Sequence, residues 1–104
     1  MYTVYKGRDN TFTVQLLEDE EIKQLTGVSS VSIIYKGTEY SSDVYGGSFD
    51  FSSNPSLGYI TFKLGNIPAL PEGRDSRTEL IVYDPSNTNG VYWGYMSLKV
   101  TTLS

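Results

Sequence analysis

The chain contains no histidine and no cysteine. Without imidazole there is no Ser-His-Asp triad, no Cys-His pair and no His-ligated metal site, which removes the commonest general base and metal ligand together. Without thiols there are no disulfides, zinc ribbons or thiolate nucleophiles, and the redox compartment is left open, since any compartment tolerates a thiol-free chain. Positive charge is scarce as well: 8 lysines and arginines against 12 acidic residues leave a net charge of -4. Such a chain has no basic stripe to release counterions from a phosphate backbone, so nucleic acid is not an expected partner. Long apolar runs are also missing. The opening MYTVYKGRDNTF reaches a charged side chain at Lys6 with no apolar segment before it, and reads as neither a secretory signal nor a membrane span.

What is present is the composition of a soluble globular domain, with 38% hydrophobic, 13% aromatic and 19% charged residues. Residues 1–104 make one domain, long enough to bury a single core without staples. The aromatic and β-branched residues fall in short alternating runs. Tyr2 to Lys6 ends at Gly7. Thr11 to Leu17 places Phe12, Val14 and Leu16 on one face, and Val31, Ile33 and Tyr35 face inward in the next run, with Ile34 the irregular outward position. Thr38 to Tyr45 reads as a weaker strand and Ser48 to Phe51 as a short one. Leu57 to Leu64 buries Ile60, Phe62 and Leu64, while Thr78 to Tyr83 buries Leu80 and Val82 and turns Ile81 and Tyr83 outward. The last run, Val91 to Thr101, sends Met96, Leu98 and Val100 inward and Trp93, Tyr95, Ser97 and Lys99 outward.

About seven or eight short strands, with turn signals roughly every 8 to 12 residues and no sustained helical period, predict an all-β sandwich or small barrel. The connection GNIPALPEGR, with Ile67, Ala69 and Leu70, is too long and apolar for a tight hairpin. It predicts a crossover that plugs the end of a sandwich, as Greek-key connections do. DPSNTNG reads as a loop, and EDEE at Glu18 to Glu21 as a solvated loop with a short helical turn before Gly27.

The markers fall in a fixed order: a strand ending in Gly7, TFTVQLL, Leu25-Thr26-Gly27, the strand to Tyr35, Gly58 before YITFKL, Leu70-Pro71-Glu72-Gly73-Arg74, ELIVYD, and Gly94 in the last strand. This order resembles the small immunoglobulin-like β-sandwich modules of tailed-bacteriophage virions, such as the N-terminal module of baseplate upper proteins and related tail or head accessory proteins. The resemblance implies a non-enzymatic structural or attachment role, no cofactor, other virion proteins as partners, a possible homo-oligomer, no membrane, and residence in the virion after assembly in host cytoplasm.

An immunoglobulin-like arrangement sets the runs at Val31 to Tyr35, Thr78 to Tyr83 and Val91 to Thr101 side by side in one sheet. Their parity then gathers Ile34, Ile81, Tyr83, Trp93 and Tyr95 on its outer face, a patch suited to protein docking. Three other uses stay open: cross-strand pairs that only stiffen the sheet, a bulge at Gly94 that returns Trp93 to the core, and a stacking platform for glycans, as in a carbohydrate-binding or adhesin-type sandwich. The acidic residues suggest no comparable site. Glu18, Asp19, Glu20 and Glu21 lack the Gly or Asn that would shape a calcium turn, and Asp84, Asn87 and Asn89 lack the spacing of a calcium loop. The pairs Asp43 with Asp50 and Asp75 with Glu79 are candidates for glycosidase-like chemistry only beside a sugar-sized cleft.

Overall fold

Alternating apolar residues become strands throughout the chain, in a computed structural model that describes residues 1–53 and 55–102. In chain order the strands are β1 (Tyr2–Tyr5), β2 (Phe12–Gln15), β3 (Leu17–Glu18), β4 (Glu21–Ile22), β5 (Ser30–Tyr35), β6 (Thr38–Ser41), β7 (Phe49–Asp50), β8 (Tyr59–Phe62), β9 (Gly73–Asp84) and β10 (Asn87–Thr101). Among the described residues there is no α-helix, only short 3-10 turns. The protein is therefore all-β, with a five-stranded mixed sheet ordered β1-β10-β9-β5-β6 and a three-stranded sheet ordered β2-β8-β7. A small β3-β4 hairpin stands beside them. Strand β1 runs parallel to β10, and the other paired strands are antiparallel.

Both sheets contribute to one core. Val31, Ile33 and Tyr35 of β5, Leu80 and Val82 of β9, Leu98 and Val100 of β10, and Ile60 and Phe62 of β8 are buried in a single cluster, the inward parity that the alternation predicts. An aromatic ladder ties the two sheets together: Tyr2 stacks on Phe12 with centroids 4.2 Å apart, Phe12 on Phe62 at 5.0 Å, and Phe49 meets Phe62 edge-on at 5.7 Å. Rings so arranged add about 0.5–1.5 kcal/mol per pair beyond their buried area.

The connection before β9 acts as the predicted plug, with Ile67 and Leu70 fully buried. It is shorter than expected, because strand pairing begins at Gly73, and Ala69 is exposed, its carbonyl oxygen accepting the Tyr40 hydroxyl at 3.4 Å. Two other connections also differ from the sequence reading. The acidic run forms a tight hairpin, with Asp19 and Glu20 both at positive φ (52° and 68°) between β3 and β4, and no helical turn precedes Gly27. The expected loop DPSNTNG shrinks to a two-residue turn at Pro85-Ser86, and the strand resumes at Asn87. Asp84 holds that turn by accepting the Ser86 amide at 2.9 Å and the Asn87 side-chain amide at 3.0 Å, an Asx turn after which Asn87 pairs with Asp84 and the ladder becomes regular again at Val91. The result is a hairpin about 40 Å long at ordinary strand rise, matching the 42 Å long axis of the molecule.

Candidate functional site

The outer face of the five-stranded sheet follows from strand register. Ser32 of β5 stands opposite Ser41 on one side and Ile81 on the other, and Ile81 stands opposite Tyr92. One step along, Glu39, Ile34, Glu79 and Tyr95 form the next row. Ser30 and Tyr83 form a third row, with Gly90 beneath the Tyr83 ring: a Cβ at Gly90 would lie 2.5 Å from Ile81 Cγ2 and 2.8 Å from Tyr83 Cε1. Gly90 has φ +85°, so both its space and its backbone call for glycine.

Of the five residues expected on this face, Ile34, Ile81, Tyr83 and Tyr95 are there, and Trp93 is not. Trp93 is half-buried and packs against the core, with the Lys23 ammonium 5.9 Å from its ring. The cause is a register shift between Tyr92 and Tyr95, at Gly94 with φ +111°. The extra residue in β10 reverses the parity on its N-terminal side, turning Trp93 inward and Tyr92 outward. Tyr92 is the patch residue that sequence reasoning missed. The signal was available in principle: counting inward positions back from Val100, Leu98 and Met96 gives Tyr92, whereas counting from a tight turn at Pro85 gives Val91 and Trp93. Such a conflict requires a bulge, and Gly94 is where one fits.

The patch is open to solvent at Tyr92 (49% exposed) and Tyr95 (57%), while Ile34, Ile81 and Tyr83 are half-buried between their neighbours. Arg77 places its guanidinium carbon 4.3 Å from the Tyr95 ring centroid, a cation–π contact worth about 0.5–1 kcal/mol at an exposed position. At the other margin a polar cluster forms around Glu39. Its Oε2 accepts the Ser32 hydroxyl at 2.5 Å and also the Tyr83 hydroxyl. Those two bonds, Ser32 first and Tyr83 second, hold the Glu39 carboxyl below its ordinary pKa, against a smaller opposing effect of burial. The bond to Glu39 is in turn the main reason that the Tyr83 hydroxyl titrates above the usual tyrosine value.

Beside this cluster, Ser29, Ser30, Glu39, Ser41, Asp43, Tyr83, Asp84, Pro85 and Thr88 line an open groove of about 440 Å³. Two of the other acidic candidates serve local structure. Asp50 accepts from the Ser52 and Ser53 amides and the Ser53 hydroxyl, and Asp75 accepts the Lys36 amide at 2.7 Å and the Arg77 amide at 3.0 Å. Among the described residues no group of three or more acidic side chains is placed to hold a metal ion. No protein-family model, curated protein or solved structure matches the chain.

Proposed function

We propose that this chain is a non-enzymatic protein-docking module of immunoglobulin-like type, acting as a structural or accessory protein of a tailed-phage virion through the outer face of its five-stranded sheet. The observation that carries the docking reading is the adjacency of Ile34, Ile81, Tyr92 and Tyr95 in two neighbouring rows, open to solvent at both tyrosines. Large aromatic side chains set side by side supply contact area at low entropic cost, which is why interfaces concentrate them.

The immunoglobulin-like reading draws support from strand order. A sheet ordered β1-β10-β9-β5-β6 beside one ordered β2-β8-β7 corresponds to a variable-type G-F-C-C′ sheet, with an added N-terminal strand, facing B-E-D. The virion assignment rests on the ordered sequence markers, with other virion proteins as partners and the assembled particle as the place of residence.

Mass spectrometry of particles purified after induction of the cells that carry the gene tests the assignment. The expected result is this chain at a fixed ratio to the major particle proteins, and its absence from the particles overturns the virion role. Docking is read separately, by particle incorporation of a folded Tyr92→Ser/Tyr95→Ser variant. Incorporation is expected to be lost, and wild-type incorporation would remove the patch from the interface.

A further inference from the structure

The groove beside Tyr83 differs chemically from the aromatic patch that it borders. Its lining includes the carboxylates of Glu39, Asp43 and Asp84 and no lysine or arginine. Lys23 lines a separate groove that shares Asp84 and Pro85 with this one. Two further features mark the groove as more than a group of acids. Ser30 is 6% exposed and belongs to the groove lining, yet its hydroxyl makes no hydrogen bond among the described residues. The side chain is otherwise buried and lines the groove, so its hydroxyl is a donor and acceptor open to a group from outside the chain. Glu39 is also fixed in place from one side only. Both of its hydrogen bonds end on Oε2, from Ser32 and Tyr83, so Oε1 is oriented at no further cost and free to accept.

We propose that this groove receives a basic side chain, arginine or lysine, from the protein that docks on the aromatic face. The inference rests on the docking reading and gives the partner its chemistry: an apolar or aromatic surface for Tyr92 and Tyr95, with a cationic side chain one strand pair away. Tyr83 belongs to both surfaces, so a partner seated on the patch carries its basic residue directly over Glu39. Charge complementarity selects the cation. The carboxylates are not gathered closely enough to hold a metal ion, but separate acceptors along a groove suit a guanidinium, which offers five donors in a planar fork. A fixed carboxylate and a free hydroxyl at its margin would take two of them.

The test is a titration of the isotopically labelled whole chain with N-acetyl-arginine amide, followed by amide chemical shifts, with the uncharged citrulline analogue and a neutral trisaccharide as parallel probes. The proposal expects saturable shifts at Ser30, Glu39 and Ser41 with the arginine probe and none with citrulline. Removing one acceptor charge, in Glu39→Gln or Asp43→Asn, should weaken binding about ten-fold, the size of one charge-assisted hydrogen bond. Glu20→Gln at the exposed β3-β4 turn should change nothing. Asp43 is exposed and, among the described residues, its carboxylate supports no other residue through a hydrogen bond, so Asp43→Asn keeps the test valid where Glu39→Gln disturbs the fold. Equal shifts with citrulline, shifts spread over all acidic surfaces, shifts only with the trisaccharide, or none at all would each overturn the proposal. None of these outcomes touches the aromatic patch, which is judged by particle incorporation of the Tyr92→Ser/Tyr95→Ser variant.

Discussion

The hydroxyl of Tyr83 on β9 donates to the carboxylate of Glu39 on β6, across the whole width of the intervening strand β5. Ser32 of β5 donates to the same oxygen from below and is itself fully buried. Three strands are thereby tied at one atom, which ranks Glu39 as a structural residue despite its exposed position. Glu39→Ala should destabilise the protein by about 1–2 kcal/mol, because it leaves the buried Ser32 hydroxyl without a partner. Urea unfolding measures it, and a change below about 0.3 kcal/mol would show that water replaces the carboxylate without loss.

The same atom sets a pH dependence. Hydrogen bonds from Ser32 and Tyr83 lower the native pKa of Glu39, so its contribution is complete above the ordinary glutamate value and is lost as pH falls through the depressed native one. Tyr83, raised chiefly by its bond to Glu39, contributes below the ordinary tyrosine value and loses that contribution as pH rises through its elevated native one. Stability should decline at both extremes, and Glu39→Gln should flatten both limbs. Denaturation midpoints across the pH range read this directly; an unaltered profile in the variant would locate the dependence elsewhere.

Tyr35 presents the opposite case. Its ring is fully buried in the core and its hydroxyl has no hydrogen-bond partner among the described residues, an arrangement in which the polar atom is desolvated without compensation. Burial, then Asp75 and Tyr40, raise its pKa. Tyr35→Phe should raise stability by about 1 kcal/mol, seen as a higher denaturant midpoint at unchanged slope. A loss of similar size would mean that the hydroxyl is satisfied in solution.

The bulge at Gly94 separates neighbours in β10 into different roles. Trp93→Ala should cost about 2 kcal/mol of stability, since a half-buried indole packed on the core is removed. Tyr95→Ala should cost less than about 1 kcal/mol, the value of its contact with Arg77. Parallel thermal melts distinguish them, and equal losses would contradict the inward placement of Trp93.

Gly90 carries the Tyr83 ring on its bare backbone. Gly90→Ala meets Ile81 and Tyr83 at 2.5 and 2.8 Å in a left-handed conformation, and should destabilise by about 1–3 kcal/mol while shifting the amide resonances of Glu39 and Ser32. Unshifted resonances would show that the ring yields without moving its hydroxyl.

The sequence by itself determined most of the longer strands and most of their buried faces. Val31, Ile33, Tyr35, Ile60, Phe62, Leu80 and Val82 are inward because strict alternation leaves a strand one choice of face once one side is apolar. It also marked Ile67, Ala69 and Leu70 as a plug, and the two large residues of the three are buried while the small Ala69 is exposed. Tertiary structure decided whatever depends on counting through an irregularity or on partners far apart in the chain. The Gly94 bulge exchanged Trp93 for Tyr92, because one inserted residue inverts every position on one side of it. The Glu39, Ser32 and Tyr83 cluster joins residues up to 44 positions apart, and no local pattern encodes such a meeting. Asp75, a candidate for glycosidase-like chemistry, Asp84, a candidate calcium-loop residue, and Glu39 are acceptors that fix turns and strands, because the amides and hydroxyls they bind come into range only when the chain is folded.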